Sequence, residues 1–209
     1  MAYQTLRRKA ITEFIEKKSR FIGFAAPVSS AEDALVLLDE VKKEHRGASH
    51  NCFAYIIGQN KGIIRYSDDG EPSGTAGKPI AEVMLKKDVV DCVVVVTRYF
   101  GGILLGAGGL VRAYTHTAAL ALDAAEICAM HETRRMLLQI AYPQWDKTEH
   151  AMQSLPVTLE NTEYTQRVTL SLLCRIADEA LILDELNRIT DGKIDIKQEK
   201  QTFFHPWGI

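Results

Sequence analysis

Val89-Val90-Asp91-Cys92-Val93-Val94-Val95-Val96-Thr97-Arg98 runs directly into Tyr99-Phe100-Gly101-Gly102-Ile103-Leu104-Leu105-Gly106-Ala107-Gly108-Gly109. The first ten residues are mostly β-branched and show no polar alternation. That is the pattern of a central strand buried on both faces. The glycine-rich stretch then breaks regular structure. A helix is expected from about Leu110 to Ala125, with Leu110, Ala113, Thr117, Leu120 and Ala124 on one face. A buried strand, a glycine-rich loop and a helix, in that order, imply a layered fold whose ligands bind near the strand's end.

Upstream, Ile11–Glu13 and Phe21–Pro27 read as short strands around the charged turn Glu16-Lys17-Lys18-Ser19-Arg20. Ser29 and Ser30 precede Ala31-Glu32-Asp33, an N-cap followed by acids in a first turn, so a helix should run to about Lys43. Ala34, Leu37, Leu38 and Val41 form its apolar stripe. Asn51–Ile57 and Ile63–Tyr66 read as strands, Ser67–Pro79 as irregular, and Ile80–Lys86 as a short helix.

Downstream, Ala129–Thr133 is expected to be a linker. Strands are expected at Met136–Tyr142, Val157–Glu163, Arg167–Cys174 and Lys193–Glu199, with helices at Lys147–Leu155 and Asp178–Ile189. The order β-α-β-β-α-β is that of a ferredoxin-like domain. The aromatic tail Phe203–Trp207 is expected to pack back onto its own domain. The fold class is therefore α+β, with one domain over residues 1–131 and a second over 132–209.

The 209 residues are 46 % hydrophobic and 25 % charged, ordinary globular usage. The formal charge of −2 argues against a polybasic binder. The deficit lies late in the chain: residues 1–131 hold 16 Lys and Arg against 15 Asp and Glu, and residues 132–209 hold 9 against 12. Cys52, Cys92, Cys128 and Cys174 form no close pairs, so they read as buried reduced thiols rather than zinc ligands or disulfides. Met1–Arg20 lacks an apolar leader core, and the longest apolar stretch, Val89–Val96, is interrupted by Asp91. It is far short of the roughly 20 residues a bilayer span needs. A cytoplasmic chain without a membrane partner is expected.

Two segments concentrate chemistry. Ser67-Asp68-Asp69-Gly70-Glu71-Pro72-Ser73-Gly74-Thr75-Ala76-Gly77-Lys78-Pro79 crowds three carboxylates, hydroxyls and a lysine into one loop. It reads as a solvated turn, a hard-cation site, or an amide nest for an anion. It matches neither an EF-hand nor a Walker loop. Arg98–Gly109 places a cation and two rings, Tyr99 and Phe100, beside glycine amides, which suits unpaired bases or a peptide. It also fails the dinucleotide fingerprint, because Val111 stands where a glycine is required. Arg112, near the start of the expected helix, opposes the helix dipole and calls for an anionic partner, either a carboxylate or a bound phosphate. Lys17-Lys18-Ser19-Arg20 reads equally as a phosphate contact or a charged turn. His45, His50 and Cys52 match no zinc spacing and read as structural.

Together, KSRF at Lys18–Phe21, SDDGEPSGTAGKP at Ser67–Pro79, RYFGG at Arg98–Gly102 and LLGAGGLVRAY at Leu104–Tyr114 resemble the YigZ/IMPACT family in order and spacing. The resemblance implies a first domain of the ribosomal-protein type, like domain IV of elongation factor G. It implies a second, ferredoxin-like domain similar to domain V of that factor. Its pattern residues here are Asp68, Asp69, Gly70, Glu71, Gly74, Gly77, Arg98, Tyr99, Gly101, Gly102 and Arg112. The resemblance assigns them no catalytic role.

The leading expectation is a non-enzymatic, RNA- or ribosome-associated regulator of translation without a cofactor. Lys18, Arg20, Arg98 and Arg112 would supply charge, Tyr99 or Phe100 would stack, and the Gly106, Gly108 and Gly109 amides would meet phosphate. Asp68, Asp69, Glu71, Gly74, Gly77, Gly101 and Gly102 complete the candidate binding set. One alternative is a phosphohydrolase with Mg²⁺ on Asp68, Asp69 and Glu71. The other is a module that binds a protein partner in translation control.

Overall fold

The computed structural model describes residues 2–198 and 201–207. They form two compact units: Tyr3–Ala129, and Met130–Trp207 together with Ala2.

In the first unit the strands are β1 (Ala2–Leu6, its first residue apart), β2 (Ala10–Glu16), β3 (Ser19–Pro27), β4 (His50–Ile57), β5 (Ile63–Ser67) and β6 (Cys92–Tyr99). The helices are α1 (Ala31–Glu44), α2 (Gly77–Lys86) and α3 (Gly106–Ala124). Five strands form a sheet in the order β2-β3-β6-β4-β5, every adjacent pair antiparallel. β6 is its centre, as its β-branched run requires. Its alternate side chains feed two cores. Cys92, Val94 and Val96 pack with Ile80, Met84, Tyr114, Ala118 and Leu122 of α2 and α3. Val93 and Val95 pack with Ala34, Leu38 and Val41 of α1. The sheet is thus covered on both faces, which is why β6 shows no polar alternation.

α1 begins as its sequence predicts. The Ser30 hydroxyl accepts from the Asp33 amide at 3.1 Å, and the Asp33 carboxylate accepts from the Ser29 amide and hydroxyl. These hydrogen bonds hold the Asp33 carboxyl below its ordinary range. Other boundaries differ from expectation. β1 is not among the expected strands, yet Leu6 is buried and Val90 N–H donates to the Gln4 carbonyl. α3 starts at Gly106 rather than Leu110, and so runs through glycines that propensity disfavours. α2 starts at Gly77, three residues early, because the Asp68 carboxylate caps it.

The expected linker Ala129–Thr133 is strand. β7 spans Ile127–Ile140 without Gly or Pro to break it. In the second unit β7 is followed by α4 (Trp145–Met152), β8 (Val157–Tyr164), β9 (Val168–Arg175), α5 (Glu179–Ile189), β10 (Asp195–Gln198) and β11 (Phe203–Trp207). β9 lies between β7 and β8, β10 pairs with β7, and all three pairings are antiparallel. Met136, Leu138, Leu170, Leu172, Ile182 and Leu186 fill the core. Glu199, the last residue of the expected final strand, lies outside the described residues. The aromatic tail pairs with β7 as β11, and the Trp207 indole donates to the Thr133 hydroxyl at 2.8 Å.

Candidate functional site

The acidic loop Ser67–Pro79 and the end of β6 meet because β6 lies next to β4 in the first sheet. Each of the three carboxylates takes a different partner there. Asp68 turns back onto its own loop: Oδ1 accepts from the Ala76 and Gly77 amides at 3.0 and 2.8 Å, and Oδ2 from the Gly74 amide at 2.8 Å. A carboxylate on those amides complements the positive end of α2. Asp69, in the left-handed region at φ 45°, accepts from the Asn51 amide at 2.7 Å and from Lys42 Nζ at 3.1 Å.

Glu71 is buried, its side chain only 2 % exposed. Its Oε1 accepts from Arg98 Nη1 and from the Tyr114 hydroxyl, both at 2.7 Å. Arg98 is buried too. Its guanidinium lies between the Phe21 and Phe100 rings, 5.6 and 5.4 Å from their centroids, with Nη2 3.4 Å from the Ser19 hydroxyl. Burial pushes the Tyr114 hydroxyl far up, and Cys52 and Glu71 add to this. Cys52 Sγ lies 3.0 Å from the Asp68 carbonyl and 3.4 Å from the Tyr114 hydroxyl, and burial pushes its thiol up to about 12. Ion pair, phenol and thiol thus form one connected network, in which Arg98 Nε is buried without a hydrogen-bond partner among the described residues.

Several glycines of the motif are packing solutions. A Cβ on Gly77 would stand 2.6 Å from the Ser67 backbone, and one on Gly101 would stand 2.0 Å from the Lys18 carbonyl carbon. The Gly101 amide also donates to Ser19 Oγ at 3.2 Å. Gly74 and Gly102 meet nothing within 4 Å but hold φ of 75° and 81°, which favour glycine. Tyr99 is half-buried and its hydroxyl is 2.9 Å from His45 Nδ1. Arg20 is exposed but paired with Glu13, Nη2 to Oε2 at 2.7 Å, and lies 5.9 Å from the Tyr99 ring centroid.

A second group stays at the surface. Lys17 and Lys18 form the β2–β3 turn, both in the left-handed region at φ 45° and 66°. Two non-glycine residues at positive φ cost roughly 1–2 kcal/mol each. The close contact with Gly101 holds the turn. Lys17 lines a cleft of about 320 Å³ with Arg112, His116, Glu16 and Gly109. Arg112 is exposed, and its guanidinium folds back toward the first turn of α3, Nη1 3.7 Å from where a Gly108 side chain would begin. Among the described residues no side chain caps α3, whose first residues Gly106, Ala107 and Gly108 are exposed. Among the described residues, Lys17, Lys18 and Arg112 have no ion-pair partner. Phe100 is 48 % exposed and Leu104 82 %.

The candidate residues therefore divide. Asp68, Asp69, Glu71, Gly77, Arg98 and Gly101 interlock inside the unit. Lys18, Phe100, Gly106, Gly108 and Arg112 stand outside it. The carboxylates do not converge, and no three His, Cys, Asp or Glu side chains are placed to hold a metal among the described residues. The geometry thus gives the Mg²⁺ reading no ligand set. Sequence reasoning left out Ser19, Tyr114 and His116. Ser19 and Tyr114 are fully buried polar residues, and only the tertiary contacts reveal what they bond.

Comparison with known proteins agrees with this motif set. Residues 17–122 match the Impact N-terminal domain, and residues 138–193 match a domain of unknown function, DUF1949. The IMPACT family member YvyE of Bacillus subtilis is 36 % identical over 97 % of this chain and 93 % of its own length. The IMPACT family member YigZ of Escherichia coli is 34 % identical over 86 % of this chain and 89 % of its own. Protein IMPACT of Xenopus laevis is 38 % identical over 44 % of this chain and 30 % of its own. A solved structure described as that of a hypothetical protein is 30 % identical and covers 96 % of this chain and 98 % of its own, with a TM-score of 0.61. No helix among the described residues is long and apolar enough to cross a membrane. With the family domain over its motif-bearing part and relatives aligned along nearly all its length, this chain belongs to the IMPACT family.

Proposed function

We propose that the chain binds single-stranded RNA, free or on the ribosome, and regulates translation without catalysing a reaction, in the cytoplasm. The observation that carries this reading is the set Lys17, Lys18 and Arg112, cations without an ion-pair partner among the described residues, beside the start of α3, which no described side chain caps. Amides at a helix start and flanking cations together favour a phosphate, and they relieve the conflict between Arg112 and the helix dipole. Phe100 adds an exposed ring nearby. Glu16 in the same cleft weakens the field, so the contact is to few phosphates.

The same reading takes residues 1–131 as a domain like domain IV of elongation factor G and residues 132–209 as ferredoxin-like. The connectivity β7-α4-β8-β9-α5-β10 and the strand order β10-β7-β9-β8 support the second assignment.

Arg98 is a poor probe of this surface, because its loss would open the buried network. The test is a titration of a single-stranded RNA oligonucleotide at several salt concentrations with wild type, Arg112→Ala and the triple variant Lys17→Ala/Lys18→Ala/Arg112→Ala. Three phosphate contacts predict a log–log salt slope near −2, and each lost cation shallows it by about 0.7. Binding absent at low salt, or unchanged by the triple substitution, overturns the reading.

A further inference from the structure

Beside the phosphate-facing cleft lies a second cavity of about 430 Å³, and Leu105 lines both. Its walls are apolar, with Phe100, Leu104 and Leu110 among them. Its polar groups are Ser49, His50, Glu71 and Arg98, with the Gly106–Ala107 start of α3 at one side. A mostly apolar cavity of this size with a few convergent polar groups is the usual form of a small-ligand site.

Which ligand it takes follows from the hydrogen bonds already spent. His50 Nδ1 is 2.8 Å from the Asp69 backbone carbonyl. A carbonyl only accepts, so Nδ1 must carry the proton. In neutral His50 the other nitrogen, Nε2, is then an acceptor. It faces Glu71 Oε2 across 3.9 Å, too far for a direct hydrogen bond. Glu71 Oε1 already serves Arg98 and Tyr114, while Oε2 has no hydrogen-bond partner among the described residues. While His50 is neutral, two acceptors, one on a buried carboxylate, thus stand side by side with no donor between them; a protonated His50 would instead pair with Glu71. A nitrogen about 2.9 Å from each would complete the arrangement. Arg98 already balances the charge of Glu71, so a neutral donor suits the site better than a cation. The uncapped amides of α3 offer donors to an acceptor on the same ligand.

We propose that this cavity holds one unpaired nucleobase bearing an exocyclic amino group, its N–H donors bridging Glu71 Oε2 and His50 Nε2 and its ring against Phe100. The inference deepens the RNA-binding reading and rests on it for the source of the base. Uracil lacks an amino group: its one donor, N3–H, could serve only one of the two acceptors, and a flanking carbonyl oxygen would be set against the other. The site therefore selects adenine, cytosine or guanine over uracil.

Two measurements test it. In the first, fluorescence anisotropy with ten-residue oligoadenylate, oligocytidylate and oligouridylate should give the first two about tenfold tighter binding, the worth of one good hydrogen bond. His50→Ala should bring oligoadenylate down to the oligouridylate affinity. In the second, ¹⁵N NMR of the full chain should show the His50 ring nitrogens shifted by millimolar adenosine and not by purine riboside, which keeps the ring and lacks the amino group. RNA bound without base preference overturns the cavity assignment and leaves the RNA reading standing. An adenosine-specific His50 shift without RNA binding supports the cavity and overturns the RNA reading. Equal shifts with adenosine and purine riboside, or none with either, overturn the proposed recognition.

Discussion

The inward and outward halves of one motif set behave as opposites. Glu71 is buried and accepts from Arg98 and Tyr114, both buried too and both against the Phe21 ring. Lys17, Lys18 and Arg112 are exposed and, among the described residues, without an ion-pair partner. Both halves contain the charged residues that a sequence reader takes for a site. The difference teaches that charge density in a motif marks a constraint and does not say whether that constraint is folding or binding. The two halves also touch: the Gly101 backbone, in the inward half, seats the Lys17–Lys18 turn.

The largest effect should follow Glu71→Ala. Removing that carboxylate leaves Arg98 buried without its partner and Tyr114 without its acceptor, a loss of about 3–5 kcal/mol in urea unfolding. A loss under about 1 kcal/mol would break the comparison at its root. Gly101→Ala comes next. Its methyl would meet the Lys18 backbone at 2.0 Å, so the turn must move. About 1–3 kcal/mol should be lost, together with RNA affinity, although no cation has been removed. Retention of full affinity would show that the turn's conformation is irrelevant to binding.

Asp68→Ala removes the acceptor of three amides at the start of α2 and should cost about 1–2 kcal/mol by the same unfolding assay. Cys52 sharpens the inward half at high pH only. Its folded thiol lies at about 12 against 9.0 for the free group, so its contribution is fully present below 9.0 and is lost as pH rises toward 12. Folded protein should therefore leave Cys52 unreacted with a thiol reagent at pH 8, and rapid labelling there would contradict its burial in the network. The smallest stability effect belongs to the triple variant Lys17→Ala/Lys18→Ala/Arg112→Ala. It should stay within about 0.5 kcal/mol of wild type while RNA binding falls. Marked destabilisation would place these cations with the inward half.

Much of this was legible in the chain. The β6 run is uniformly apolar because the cores lie on both its faces, and the α1 start is written in Ser29, Ser30 and Asp33. The misses have physical causes. β1 and the Ala129–Thr133 part of β7 show no clear alternation, and their pairing partners are distant in sequence. α3 begins among glycines because the tertiary fold overrides propensity. The site was legible as a set of positions and not as a set of roles. Asp68 caps a helix nine residues on, while Glu71 pairs with a residue 27 away and with another 43 away.

By itself the sequence determined the class of the fold, the central strand, the helix with its cap, and the family motifs. All of these depend on local spacing and on side-chain chemistry that periodicity exposes. Only the tertiary structure decided which carboxylate takes which partner, which cations stay without an ion-pair partner among the described residues, and that His50 Nε2 and Glu71 Oε2 stand 3.9 Å apart. Those outcomes depend on strand register and on the burial of residues far apart in the chain. In low dielectric an unpaired charge is costly, so the groups that the fold brings inside must find partners there, and those left at the surface need not.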